Sequence, residues 1–572
     1  MALYTASESP AIIVREVDLT NGVPNVPTST GAIVGDFRWG PVETPVLVNN
    51  EATLTNIFGN PDPDRSVDFH GASYYLRYSD DLYVIREITE TETPWSPGDS
   101  ADSAGIEFAS NAFDTHLSLA TWPVIKNNDN FENQRAALAT DGHTFIAKWP
   151  GDLGNALEVS ICGADTTDFD AWEYKTYFNS VPVTSDYATK KGAIKDEVHV
   201  IVIDKNGEFT GTKNTVLETF SFLSLASDAK KTDGGSNYVL ETINRVSKYV
   251  WLASIPTELG AYSGTPATNG KNFATGANGD YTATLVNGNN SGSLGAAQYT
   301  TGFDLLNDPN TYLVDFLIAP GLSSAVDQKT VINHMVNIAE NVRKDCMVVA
   351  SPHRSAVVDN PTAARTNILT DMASGITRSS YLVMDSNYLK VYDKYNDTYI
   401  YIPAASSTAG LMAATDNNFA PWFSPAGTRR GRYFGVTQLA YNPNKQDRDE
   451  LYKAGFNPIA NIPGEGILLY GDKTHLSRPS AFDRINVRRL FLVLERAIAR
   501  AAQNILFEFN DEFTRAEFIN IVEPVLRNVQ GRRGITDFKL VCDETNNTSD
   551  VIDTNQFIAS LFIKPSRSIN YI

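Results

Sequence analysis

The feature that most constrains this chain lies in its last third, where Val487, Phe491, Leu494, Ile498, Ala501 and Ile505 step by 4-3-4-3-4 residues. That spacing puts every named side chain on one face of an α-helix, so residues 487–507 read as one long helix that must lay its stripe on a core. Across 478–507 the stretch also carries Arg478, Arg484, Arg488, Arg489, Arg496 and Arg500 against only Asp483 and Glu495. In a chain of formal charge -20 this is a local reversal of sign. Arginine's planar fork suits bidentate carboxylate pairing. The basic face can therefore meet an acidic partner, pair within the chain with Glu508, Asp511 and Glu512, or stand in solvent.

Around this helix the chain is long enough for several cores, since 572 residues at roughly 150 per domain suggests about four. A second helix is expected over 514–529, interrupted or begun afresh at Pro524, followed by strands at 538–542 and 556–563. In the latter, Phe557, Ala559, Leu561 and Ile563 alternate, and Pro565 keeps residues 562–570 from forming one central strand. At the other end Ile12, Ile13, Val14 and Val17 form a β-branched run, closed by Asn21-Gly22 and by Pro24 and Pro27. An α/β segment follows: strands at 32–37 and 45–48, helices at 51–58 and 67–78, and a strand at 82–88. Its counterpart comes much later. Strand 312–319, a helix over 326–342 with Val331, Met335, Ile338 and Val342 on one face, and strand 346–350 read as a parallel crossover. A helix opened by Pro361, aligning Ala364, Ile368, Met372 and Ile376, then leads to strands at 380–385, 388–393 and 398–402. Between the halves, 91–102 turns Pro/Ser/acidic and 262–295 turns rich in Gly, Asn, Ser and Thr, marking 91–299 as inserted. Strands at 147–162 and 197–204 and a helix at 238–250 are expected there.

The chemistry-bearing residues do not form a catalytic or metal-binding pattern. The seven histidines show no close ligand spacing, and Cys162, Cys346 and Cys542 are too far apart in sequence for a paired-cysteine site, reading as thiols of a reducing compartment. Gly466 to Thr474 nearly spells a phosphate loop, but Asp472 puts a negative charge where phosphate would lie, so strand and turn are expected. Ser351, His353 and Asp359 supply triad residue types without a nucleophile elbow. The acidic clusters at 165–170 and at Asp543, Glu544, Asp550 and Asp553 do not follow the calcium-loop pattern. A pI near 4.8 opposes nucleic-acid binding. The apolar run at 490–494 falls far short of the ~20 residues of a membrane span, and the first fifteen residues lack a secretory signal pattern. No enzyme, cofactor or metal is expected.

A family resemblance rests on particular residues. Ile485-Asn486-Val487-Arg488-Arg489-Leu490-Phe491 followed by Phe507-Glu508-Phe509-Asn510-Asp511 resembles the C-terminal signature of contractile bacteriophage tail sheaths. The order around it is similar too: residues 451–459 (LYKAGFNPI), Gly464-Glu465-Gly466-Ile467, Tyr470-Gly471-Asp472-Lys473-Thr474, then Val541 to Asn546. Weaker matches lie at Tyr83-Val84-Ile85-Arg86, Pro150 to Asn155, Pro403-Ala404, Ala409-Gly410-Leu411 and Pro425-Ala426-Gly427, while Phe456 and Phe509 depart from the family pattern.

The resemblance implies a subunit of stacked hexameric rings around an inner tail tube, switching from a strained extended state to a contracted one that drives the tube through the host envelope for genome ejection. Implied partners are the chain itself, a tail tube protein, and baseplate and tail terminator proteins, with no direct nucleic acid and no membrane insertion. The implied location is the virion, after assembly in host cytoplasm. The expected fold class is α+β multidomain: a split α/β middle domain, a C-terminal α/β assembly domain with extended terminal arms, and mostly β inserted outer domains. The expected boundaries are 1–20 (arm), 21–90 and 300–428 (middle), 91–190 and 191–299 (insertions) and 429–572 (assembly). Ile12, Ile13, Val14, Val17, Phe557, Ala559, Leu561 and Ile563 are candidates for intersubunit strand pairing, or for ordinary strands within one subunit. Arg488, Arg489, Arg496 and Arg500 are candidates for a tube-facing basic surface. The alternatives are the sheath of a headless contractile injection particle, and a surface-binding or hydrolytic protein with its site in 91–299.

Overall fold

A computed structural model describes residues 28–89, 105–107, 124–140, 143–164, 166–256, 259–275, 280–290, 292–503 and 505–569. The expected strand of Ile12, Ile13, Val14 and Val17 lies outside them. Strand β1 (Gly31–Gly35) runs into the body, β2 (Val46–Val48) follows, and the helices Glu51–Phe58 and Ser66–Tyr75 lead to β3 (Leu82–Arg86), parallel to β1 and antiparallel to β2. Asn50 caps the first helix by accepting from Thr53 N, and Gly59 closes it at φ 76°.

The insertion then builds β4 (Gly105–Glu107), β5 (His143–Ala147), β6 (Leu157–Cys162), β7 (Glu197–Asp204), β8 (Thr215–Ser224), β9 (Val250–Leu252) and β10 (Asp280–Thr284). They form a three-stranded sheet, β4-β5-β9, and a four-stranded one, β10-β6-β7-β8. The helix expected at 238–250 stops at Val246, so that residues 250–252 can form β9.

The chain returns as β11 (Phe316–Ile318), which pairs in parallel with β1 through Ala32 and Leu317. Thereafter come β12 (Met347–Ala350), β13 (Leu382–Asp385), β14 (Tyr388–Asp393), β15 (Thr398–Pro403), β16 (Gln438–Leu439), β17 (Phe456–Asn457), β18 (Ile459–Ile462) and β19 (Gly466–Leu469). Segments some 230 residues apart thus join in one seven-stranded sheet, β17-β13-β12-β11-β1-β3-β2. Its central strands read as continuous apolar runs because helices cover both faces, leaving β1, β11, β12 and β13 wholly buried.

Three expectations are corrected. The helix Ala405–Asn418 was not expected; its small residues are buried nearly all round, and a Cβ on Gly410 would lie 2.5 Å from the Tyr78 ring. The helix opened by Pro361 is short, Ala364–Asn367 continued by a π-helical turn to Met372, and does not reach Ile376. The helix at Pro524 is not interrupted but runs from Glu512 to Gly531, because Phe518, Val522, Leu526 and Val529 continue one buried stripe past the proline.

Two compact units result. Among the described residues, one holds those of 28–420 and 424–485; the other holds 421–423, 486–503 and 505–569. The expected boundary at 429 is displaced because β16 pairs with β14 and β17 with β13, drawing 438–457 into the first unit.

Candidate assembly surface

The residues of the resemblance converge in three places. In the first unit Arg86 donates to the Gly40 carbonyl at 2.9 Å and the Pro150 carbonyl at 2.7 Å, so the motif at 83–86 grips the one at 150–155. Burial pushes the Arg86 guanidinium down to about 10, with Asp36 opposing that shift. Asn155 then exchanges two hydrogen bonds with Gly288, closing the insertion near its return.

A second cluster lies where the long helix begins. Asp472 accepts from Arg484 Nη1 at 2.9 Å, from the Tyr452 hydroxyl at 3.2 Å and from Ser424 at 3.0 Å, and its carbonyl accepts from Ile485 N. Asn457 joins the two halves of the motif, accepting from Lys473 N at 2.8 Å and donating to the Lys473 carbonyl at 2.8 Å. Burial first, then Asp472, pushes the Tyr452 hydroxyl up to about 12, so it stays a donor. Asp472, which spoils a phosphate loop, is here an anchor; a turn at 463–465 leads into β19, and Asp472 lies beyond that strand in an extended stretch where Lys473 bridges to Arg484.

The third cluster is the C-terminal unit itself. The helix Ile485–Gln503 buries Val487, Leu490, Leu492, Leu494, Ala497 and Ala501. After a turn, Asp511 caps the helix Glu512–Gly531 by accepting from Thr514 N at 2.8 Å. Strands β20 (Ile535–Val541) and β21 (Ser560–Pro565) then form a two-stranded antiparallel sheet, with Phe538 opposite Ile563 and Leu540 opposite Leu561. Neither strand has a second neighbour among the described residues, so each outer edge presents backbone donors and acceptors. Asn547, 2% exposed, fixes the long connection: its side chain donates to the Ile558 carbonyl at 2.8 Å and accepts from Ile558 N at 2.9 Å, while Asn510 donates to the Gln556 carbonyl and to Asn547. Trp422 donates to the Arg532 carbonyl at 3.0 Å, and Gly534 leaves room for its indole, which a Cβ would approach to 2.9 Å.

Of the candidate pairing residues, Leu561 and Ile563 lie in β21, whereas Phe557 and Ala559 precede it; the Phe557 ring meets Phe518 edge-on at 5.5 Å. The strand expected from 556 begins at Ser560 because Asn547 and Asn510 occupy the backbone groups upstream. Of the candidate basic residues, Arg488 and Arg489 are buried, 8% and 2% exposed, which corrects their placement on an outward face. The buried arc here is wider than the counted stripe. Arg496 and Arg500 are half-buried. Ser351 does not address His353: its hydroxyl donates to Asp385 at 3.0 Å and accepts from Ala405 N, while His353 Nδ1 lies 3.3 Å from the Ser323 carbonyl. Among the described residues no group of three His, Cys, Asp or Glu could hold a metal, and no helix is long and apolar enough to cross a membrane. Trp422 and Asn547 were not singled out from sequence; the tryptophan's place in a Pro-rich stretch and the Asn546-Asn547 pair after a strand were the available signals.

Comparison with known proteins agrees with this geometry. The phage tail sheath protein central domain matches residues 292–475, and the phage tail sheath C-terminal domain matches 477–572. The chain is 30% identical to the tail sheath protein of Vibrio phage KVP40 over 99% of this chain and 97% of that one. It is 31% identical to the tail sheath protein of Salmonella phage ViI over 100% of this chain and 96% of that one. A solved sheath tail protein from Listeria innocua superposes with TM-score 0.54 over 95% of this chain and 96% of that one, at 11% identity, a likeness of fold.

Proposed function

The chain belongs to the phage tail sheath family, and on that premise we propose that it polymerises as stacked hexameric rings around an inner tail tube and contracts to drive the tube through the host cell envelope for genome ejection. The observation that carries this reading is the β20–β21 sheet, whose outer edges are both unpaired among the described residues. A sheath must keep its subunits linked while they rotate. Main-chain pairing at a sheet edge does this, since a flexible arm can follow the motion while its strand keeps its register. On this reading Ile12, Ile13, Val14 and Val17 belong to the arm of residues 1–20 that adds to such an edge in a neighbour. Leu561 and Ile563 belong to the accepting sheet. Residues 91–299 face away from the tube, and Arg496 and Arg500 are left to meet it. The tail tube, baseplate and terminator proteins are the partners, and the assembled tail of a virion, built in host cytoplasm, is the location. Phage tails are favoured over headless particles because the full-length relatives are phage proteins.

Negative-stain electron microscopy of the concentrated full-length protein tests this. Wide hollow tubes with a helical surface lattice are expected, and a chain lacking residues 1–20 should stay folded and monomeric. Normal sheaths from that deletion would remove the arm from the mechanism. Monomers that persist even when purified tube protein is added would refute the reading as a whole.

A further inference from the structure

The C-terminal unit carries two exposed patches of opposite character. At the start of the helix Glu512–Gly531 the preceding turn presents Leu506, Phe507 and Phe509, and the helix's first turn Phe513, exposed by 62%, 103%, 83% and 78%. Phe507 sits there at φ 72°, a left-handed conformation that is a genuine outlier for a bulky residue. Glu508, Asp511 and Glu512, all exposed, surround these rings. The nearest basic residue, Arg515, is buried and donates to the Asp511 carbonyl.

Beyond the other end of the same helix, after 20 residues or about 30 Å, the chain turns at Arg532 and Arg533. Ser566 N donates to the Gly534 carbonyl, which brings the last described segment alongside and adds Lys564, Arg567 and the 82% exposed Ile569. Among the described residues of β20 and β21 the only acid is Asp537, opposite Lys564.

We infer that the aromatic, acidic turn 506–513 of one subunit docks on the basic patch of Arg532, Arg533, Lys564, Arg567 and Ile569 of a second copy of this chain. Each patch combines exposed apolar surface, several rings on one and Ile569 on the other, with a net charge of one sign, and the signs are opposite, so each end is complementary to the other and repels itself. A contact between different patches is head-to-tail; it closes into a ring or extends as a helix, as a sheath requires. Charge at the rim sets partner choice and register, while the rings supply the apolar contact. This inference rests on the polymerisation proposed above and adds a contact distinct from strand pairing.

Charge reversal in the full-length chain tests it. The variant Glu508→Lys/Glu512→Lys and the variant Arg533→Glu/Arg567→Glu should each raise the critical concentration for polymerisation about tenfold or more at low salt, the change that roughly 1.4 kcal/mol produces. Mixing the two variants, or combining all four substitutions in one chain, should restore assembly, because opposite signs again face each other. Circular dichroism checks that each variant folds. If wild type polymerises and both folded double variants assemble like it, the contact is overturned while the sheath reading stands. The same holds if neither the mixture nor the quadruple variant recovers, or if only binding to purified tube suffers, which would assign the turn to the tube. If wild type never polymerises, the contact falls with the reading on which it rests.

Discussion

Replacing Asp385 by Asn should make the protein's stability less sensitive to alkaline pH. Asp385 ends β13 with no exposed surface, accepts from Ser351 at 3.0 Å and Thr408 at 3.3 Å, and receives Asn387 N at 3.3 Å. Burial outweighs these bonds and lifts its carboxyl from 3.8 to about 7. A group whose folded pKa is raised binds its proton more tightly in the folded state. Its contribution is therefore fully present below about pH 4 and is lost as pH rises through 7. A gap of that size corresponds to on the order of 4 kcal/mol at 1.36 kcal/mol per pH unit. Asp36 and Asp68, raised chiefly by burial to about 7 and about 6, tilt both proteins the same way, so the readout is the difference between the two curves. Asp393, held near 2, loses its contribution only in strong acid, below the window used. About two pH units of that gap fall between pH 5 and 7, roughly 2.7 kcal/mol, and if half survives relaxation around the asparagine the variant's melting temperature should fall about 1–2 °C less than wild type's between pH 5 and 8. Thermal melts followed by near-ultraviolet circular dichroism measure this. Parallel curves for the two proteins would refute the burial argument.

Asn547→Ala removes both bonds from this buried side chain to the Ile558 backbone, worth roughly 1 kcal/mol each, so it should cost about 2 kcal/mol and speed amide exchange in β21 about 30-fold; unchanged protection would deny Asn547 its clamping role. Arg496→Glu/Arg500→Glu should weaken assembly on purified tubes at moderate salt while leaving the melting temperature within a few degrees, because half-exposed ion pairs contribute only ~0–1 kcal/mol each. Equal binding would mean that these arginines serve the chain's own packing.

How far the sequence could be read depended on whether a signal was local. The helix from Ile485 was legible because one face is apolar and the opposite face is not, and 51–58 because Asn50 and Gly59 punctuate it. The helix Ala405–Asn418 was illegible for the opposite reason: buried on nearly every side, it has no contrast of faces, only small residues that permit close approach. The arginine count of 478–507 was correct, but not the direction of each side chain. Leu490 and Leu492 widen the buried arc until it takes in Arg488 and Arg489, and only packing shows that. The motif at 451–474 pointed to the right segment without giving its chemistry, since Tyr452, Asn457 and Asp472 acquire their roles from Arg484, Lys473 and Ser424.

From the sequence alone came the identity of the long helix, the two halves of the α/β sheet, the insertion between them and the family itself, all of which rest on patterns between residues near one another in the chain. Tertiary structure alone decided that β1 meets β11, that β17 completes the sheet, that Asn547 and Trp422 anchor the C-terminal unit, and that an aromatic acidic turn and a basic patch stand at opposite ends of one helix. Periodicity is a property of local geometry and survives in the one-dimensional string. A through-space partner is chosen by burial and by the few arrangements that satisfy every buried polar group, and no spacing along the chain records that choice.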